Sequence, residues 1–339
     1  MSQMQQTDSA PNGPASAEQT HPSEVLAAHE QALDGSRFHS RLIEAIPGER
    51  VHVMEGGEGT PLVMLHGSGP SALLFLPLLV RLTGVRAIAV DRPGFGLSDP
   101  HTWPTTSRRE AAVKWVGSLL DGLDLKEAAL LGSSAGGTWA LWFALAHPDR
   151  IGRLILLGAP PTLNVNTPPP PLRGVALIDP DNPPPMPPPS RETVIQSMGG
   201  MGEGDTIVNY PQQIEALVVA GRDPVASMAN LDELQALISS DGWLPSVETQ
   251  VSELEGLKPS TLLVWGTNDP LGGKVAAQEA ASAIPNAQLE MLDSGHGPWL
   301  GHPDQVANLV STFIAGHRTQ QLPPRPQPRP HSDAPEQPT

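Results

Sequence analysis

The chain has 339 residues, enough for one large core plus an insertion, and 39% of them are hydrophobic. Its formal charge of -16 argues against a nucleic-acid partner, whose phosphates need Lys and Arg, and the absence of cysteine excludes disulfides, thiolate catalysis and cysteine-ligated metals. The 39 prolines, about twice the usual share of roughly 5%, place part of the chain outside regular structure.

Residues 1–35 are rich in Gln, Ser, Pro and Ala and read as a disordered N-terminal segment in which only "SEVLAAHEQAL" promises a helical turn or more. The start has neither the basic residues nor the apolar core of a signal peptide. The longest apolar run, "ALLFLPLLV", is too short for a bilayer, so a cytoplasmic protein without a membrane span is expected. Next come short apolar runs that read as strands buried on both faces: "PLVMLH" at 61–66, "RAIAVD" at 86–91, "AALLGS" at 128–133, "RLILLG" at 153–158, "TLLVWG" at 261–266 and "QLEMLD" at 288–293. Helical patterns alternate with them. "TSRREAAVKWVGSLLDGL" opens with Ser107 three residues before Glu110, a capping-box spacing, and "HPDQVANLVSTFIAG" sets Val306, Leu309, Val310 and Phe313 on one face. This alternation predicts an α/β fold with a mostly parallel sheet, residues 36–160 and 258–317 forming the core. A proline-rich loop and amphipathic stretches occupy 161–257, and 318–339 read as a disordered proline-rich tail.

The run "LLGSSAGGTWAL" ends a predicted strand in a small-residue turn and opens a helix. Ser134 has Gly at both -2 and +2, which Ser133 lacks, so Ser134 is the candidate nucleophile. A serine hydroxyl needs a positioned base, and the base needs an orienting acid. Asp269, in the turn after "TLLVWG", and His296, in the loop after "QLEMLD", follow in that order at carboxyl ends of strands, where side chains of a parallel sheet converge. Asp293 and Asp91 are rivals for the acid. Asp293 reads as a structural carboxylate and Asp91, in "DRPGFGLSD", as a brace for loops. His302 rivals His296 but begins the last helix, and nothing supports a metal shared by the two histidines. Negative charge developing on a reacting carbonyl oxygen calls for N–H donors, and the backbone N–H groups of Ala135 and of Ser68 in "LHGSGP" fit that role.

Taken together, "LHGSGP", "DRPGFGLSD", "GSSAGG", "LLGAPP", "WGTNDP" and "SGHGPWLGHPDQV" resemble the alpha/beta-hydrolase fold family over residues 38–160 and 258–316. The resemblance implies a sheet of about eight strands, the first being "FHSRLIEAI" and "RVHVMEGG", and a lid inserted after the sixth. It also implies a serine triad and no cofactor. Serine at the nucleophile position disfavours the haloalkane dehalogenases and epoxide hydrolases of this family, which carry Asp there. In the lid, Met186, Met198, Met201, Met228 and Trp243 are candidates for an apolar pocket or for the lid's own small core. "GGMGEG", Gly199 to Gly204, reads as a hinge or a flexible surface loop.

The expected activity is hydrolysis of a small to medium apolar carboxylic ester. The enzymatic alternative is a carbon–carbon hydrolase of the meta-cleavage product type, whose oxyanion loop "HGSGP" resembles. Ser71 and Ser133 depart from that group, which usually carries Gly after this proline and Asn before the nucleophile. The alternative of another class is a ligand-binding receptor or scaffold. The expected partner is a small-molecule substrate, and the sequence leaves the oligomeric state open.

Overall fold

The computed structural model describes residues 22–69, 71–104, 107–184 and 189–316. Eight strands form one sheet in the order β1-β2-β4-β3-β5-β6-β7-β8. They are β1 (His39–Ile46), β2 (Glu49–Gly56), β3 (Thr60–Leu65), β4 (Val85–Val90), β5 (Ala128–Ser133), β6 (Ile151–Leu157), β7 (Ser260–Gly266) and β8 (Ala287–Leu292). β2 runs antiparallel to β1 and β4, and every other pairing is parallel.

Successive side chains of a strand point to opposite faces, so the apolar runs feed two cores. Val63, Leu65, Leu130, Leu156 and Trp265 join one cluster with the helices Arg108–Gly122 and Ala135–Ala146. Leu62, Met64, Leu131, Leu157 and Val264 join the other with the helix Pro303–Ile314. Within that helix Val306, Leu309, Val310 and Phe313 are buried, as its spacing predicts. Ser107 caps the Arg108–Gly122 helix by accepting the Glu110 N–H at 3.3 Å.

Two expectations need correction. β8 is an edge strand whose residues up to Met291 are only half-buried, because it has a neighbour on one side alone. The N-terminal boundary also lies earlier than Gly35. Ser23–Leu33 is a helix that buries Val25, His29, Ala32 and Leu33 and packs on the helix Pro211–Arg222. The rest of the expected N-terminal segment, the tail from 318 onward and Met186 lie outside the described residues.

Between β6 and β7 the chain leaves the sheet and forms helices at Pro170–Val175, Arg191–Gly200, Gly204–Ile207, Pro211–Arg222 and Pro224–Leu237. No helix among the described residues is long and apolar enough to cross a membrane.

Candidate active site

Ser134 stands between β5 and the helix Ala135–Ala146 with φ 51° and ψ -127°, a backbone conformation that L residues rarely adopt. Such strain amounts to about 1–3 kcal/mol and persists only where the surroundings impose it. Here they do. A Cβ on Gly136 would meet the Leu65 and His66 carbonyl oxygens, so the helix can start this close to β3 only with glycine there. From Ala128 to Ala144, Ser134 is the one residue that is not buried, whereas Ser133 is 3% exposed. The turn therefore presents Ser134 and hides its neighbour. Ala135 is the first residue of the helix, where backbone N–H groups have no intrahelical partner.

His296 and Asp269 come from the loops after β8 and β7. Asp269 Oδ2 accepts from His296 Nδ1 at 2.8 Å and from the Ala159 N–H at 2.8 Å, while Oδ1 accepts from the Leu271 N–H at 2.9 Å. Burial alone would raise the Asp269 pKa. The His296 ring and the two backbone donors outweigh it and hold the carboxyl below its usual range. With Nδ1 bound to the carboxylate, Nε2 is the nitrogen left for chemistry, and it has no hydrogen-bond partner among the described residues.

The register brings this pair to Ser134. Ser133 pairs with Leu157, so Ser134 and Gly158 are the next positions on adjacent strands. Gly158 has φ 71°, and a Cβ there would strike the His296 carbonyl oxygen and lie 3.3 Å from Nδ1. His296 thus sits over the position beside Ser134.

The loop after β3 closes the other side. His66 is fully buried; its Nδ1 donates to the Gly67 carbonyl at 2.7 Å and its Nε2 accepts from the Arg92 N–H at 2.9 Å. Burial and the Arg92 charge push its pKa down to about 4, so the ring stays neutral, as this donor-and-acceptor pattern requires. Because C=O and N–H of a trans peptide point in opposite directions, tying the Gly67 carbonyl to His66 turns the Ser68 N–H the other way. The Ser68 hydroxyl is near enough to Glu233, a buried carboxylate of the helix Pro224–Leu237, to help lower its pKa. Glu233 in turn holds Arg92 through both oxygens, one contact being Nη2 to Oε2 at 2.8 Å.

A family model described as the alpha/beta hydrolase fold matches residues 60–303. The chain belongs to the alpha/beta-hydrolase fold family. Among curated relatives, a 2-hydroxy-6-oxononadienedioate/2-hydroxy-6-oxononatrienedioate hydrolase of Cupriavidus pinatubonensis is 30% identical over 291 residues, 81% of this chain and 95% of that protein. A hydrolase of the same name from Escherichia coli K12 is 28% identical over 285 residues, 78% and 91% of the two chains. Among solved structures, a carboxylesterase of Bacillus subtilis superposes with a TM-score of 0.68 at 21% identity, covering 87% of this chain and 99% of its own. A meta-cleavage product hydrolase of Pseudomonas fluorescens IP01 gives 0.65 at 22% identity, covering 81% and 97%. At these identities the structures speak for the fold alone.

Within this alpha/beta-hydrolase frame the other candidates for acid and base have their own partners. Asp293 follows β8 and accepts from Asn268 Nδ2 at 3.1 Å, and His302 Nε2 bonds the Asp293 carbonyl at 3.0 Å, so neither faces the Asp269–His296 pair. Asp91 braces loops, as expected, by accepting the Ala72 N–H at 2.8 Å and the Leu97 N–H at 3.0 Å. It also contacts His52 Nδ1 at 2.7 Å and His29 Nε2 at 3.2 Å, a buried group whose donors lie within 4.8 Å of one another. Those atoms are close enough for a cation, but the carboxylate is already engaged by its two backbone donors and the two rings.

The suggested pocket residues that the structure describes are spread between core and surface. Trp243 belongs to the core and donates from Nε1 to the Asn166 carbonyl at 3.0 Å. Met228 is 47% exposed, and Met198 packs on the second core cluster. Met201 does reach the site, through its backbone: its carbonyl accepts the His296 N–H at 2.8 Å. Sequence reasoning missed Arg92, Glu233 and Glu203. Each sits beside or near another charge, Asp91, Asp232 and Asp205, so no local signal set it apart.

Proposed function

We propose that this protein is a serine hydrolase acting on a small molecule without a cofactor, with Ser134 as nucleophile, His296 as base and Asp269 as orienting acid. The observation that carries this reading is the Asp269–His296 hydrogen bond, held over Gly158 one register position from the strained Ser134. His296 Nε2 accepts the Ser134 proton as Oγ attacks a carbonyl carbon, and Asp269 stabilises the imidazolium. The Ser68 and Ala135 N–H groups receive the oxyanion. His296 then protonates the leaving group, and water activated by the same ring hydrolyses the acyl-enzyme. The insertion over this edge of the sheet is the lid.

For the bond cleaved, the relatives reverse the order that the sequence alone favours. Hydrolases of 2-hydroxy-6-oxo-dienedioates align over 91–95% of their length, which supports a carbon–carbon bond beside a ketone as the first reading. A carbon leaving group must depart as a stabilised carbanion, and a 2-hydroxy-dienoate provides one by shifting to its keto form, so that cleavage releases an enolate.

An apolar carboxylic ester is the second reading, favoured by a specific observation. A dioate needs cations at its carboxylates, yet Arg92, the buried cation beside the oxyanion loop, is committed to Glu233, and the chain carries a charge of -16.

The test is direct. Purified protein and Ser134→Ala are given a 2-hydroxy-6-oxo-dienoate, followed by loss of its dienolate absorbance, and p-nitrophenyl esters, followed by phenolate release. Turnover of either class that vanishes in Ser134→Ala supports the reading and assigns the bond. If neither turns over and a fluorophosphonate leaves the intact mass unchanged, the nucleophile assignment fails and a ligand-binding role replaces it.

A further inference from the structure

In the glycine-rich segment Gly199 to Gly204, Gly199 and Gly200 end the helix Arg191–Gly200, and the residues that follow meet the histidine loop. A Cβ on Gly202 would lie 2.8 Å from the Gly295 Cα, and one on Gly295 would strike the Met201 carbonyl oxygen, so the two backbones are in direct contact beside His296. Two successive N–H groups of the histidine loop are then taken by the insertion. His296 donates to the Met201 carbonyl at 2.8 Å, and Gly297 donates to Glu203 Oε1 at 3.0 Å. Glu203 is 1% exposed, and its Oε2 has no hydrogen-bond partner among the described residues.

A plain peg for Gly297 has no need of a charge. An amide oxygen accepts the same bond without the penalty of burying a half-paired carboxylate. Burial does push the Glu203 pKa up, against the opposing pull of the Gly297 N–H, the Thr206 hydroxyl, the Gly295 N–H and the His296 charge. What a charge adds is attraction for an imidazolium, which forms when Ser134 loses its proton.

We propose that Glu203 is a positioning residue of the hydrolytic site: the insertion supplies it to hold the His296 loop and to act, with Asp269, as a second anion favouring the imidazolium. The proposal rests on the reading of Ser134 and His296 as nucleophile and base. One proton moves, from Ser134 Oγ to His296 Nε2, and neither carboxylate takes it up. Of the other titratable groups packed there, Asp269 bonds His296 directly, and Tyr210, whose hydroxyl donates to the Leu300 carbonyl at 2.7 Å, senses the Glu203 charge. The proposal makes docking of the insertion a condition for a competent triad.

The experiment measures the rate of fluorophosphonate capture, by intact mass, from about pH 5 to about pH 9 for wild type, Glu203→Gln, Glu203→Ala and Ser134→Ala. Glu203→Gln keeps an acceptor for Gly297, so its melting temperature stays near wild type, while the acid limb of its rate profile moves down by about half a pH unit or more. Glu203→Ala loses the acceptor too, and its plateau rate falls about tenfold or more. A Glu203→Gln profile that superimposes on a wild-type profile abolished in Ser134→Ala overturns the role of Glu203 alone. Wild type that labels no better than Ser134→Ala overturns the serine-hydrolase reading beneath it.

Discussion

A Cβ built on Gly67 would lie 2.9 Å from the Cβ of Ser134, so the loop after β3 touches the turn after β5 at Ser134 itself. Gly67→Ala forces one of two backbones to shift, and both carry groups assigned to the reaction. The expected result is a fall in kcat of about tenfold or more with a stability loss of about 1–3 kcal/mol, the range for overpacking. Steady-state kinetics beside urea unfolding check it, and a Gly67→Ala variant with wild-type kcat contradicts the placement.

Ser134 holds φ 51° at a turn that glycine would adopt without strain. Ser134→Gly is therefore expected to unfold later than wild type by about 1 kcal/mol, while Ser134→Ala, which keeps a Cβ, gains nothing comparable. Both are expected to lose activity by at least about a thousandfold. Equal melting temperatures for the two variants would show that the turn stores no strain.

Arg92 and Glu233 join the core to the insertion through a buried, doubly bonded ion pair whose side chains are 1% and 4% exposed. Burial opposes the charge on Glu233, but Arg92 outweighs it and holds the carboxyl below its usual range. Removing one partner leaves the other charge buried, so Arg92→Met is expected to destabilise by about 3–5 kcal/mol. Adding Glu233→Leu to that variant restores part of the loss. A double-mutant cycle with no coupling would refute the pairing.

His29 ties the helix Ser23–Leu33 to Asp91, with Nδ1 on the Val25 carbonyl at 2.9 Å and Nε2 3.2 Å from Oδ2. Burial works against its charge, yet Asp91 prevails and raises the pKa above 6.5. A raised histidine pKa contributes stability that is complete below 6.5 and disappears as pH rises through the folded-state value. The difference in melting temperature between wild type and His29→Gln is therefore expected to be largest below pH 6.5 and to shrink in alkali. A difference that holds constant across this window rules out the ionised pair.

Much of the fold was legible in one dimension. The apolar runs were long enough to mark six parallel strands, and the helix spacing and the Ser107 cap placed the helices Arg108–Gly122 and Pro303–Ile314. Local chemistry also singled out Ser134, Asp269 and His296, because a nucleophile turn needs small residues around it and because carboxyl ends of parallel strands share an edge. These are short-range properties, and sequence carries them directly.

What tertiary structure decided depends on contacts between distant segments. That β8 is an edge follows from strand order, which apolarity does not encode. Glu233 lies 141 residues from Arg92, and Glu203 lies 94 residues from Gly297. A buried charge looks like any other charge until its partner is brought to it, since only the fold removes the water that would otherwise solvate both. The same holds for Met198, Met201, Met228 and Trp243, whose burial or exposure composition does not encode. Local sequence thus pointed to Ser134, Asp269 and His296 as candidates, whereas the groups that surround them came only with the fold, because burial and distance set the strength of every charge at the site.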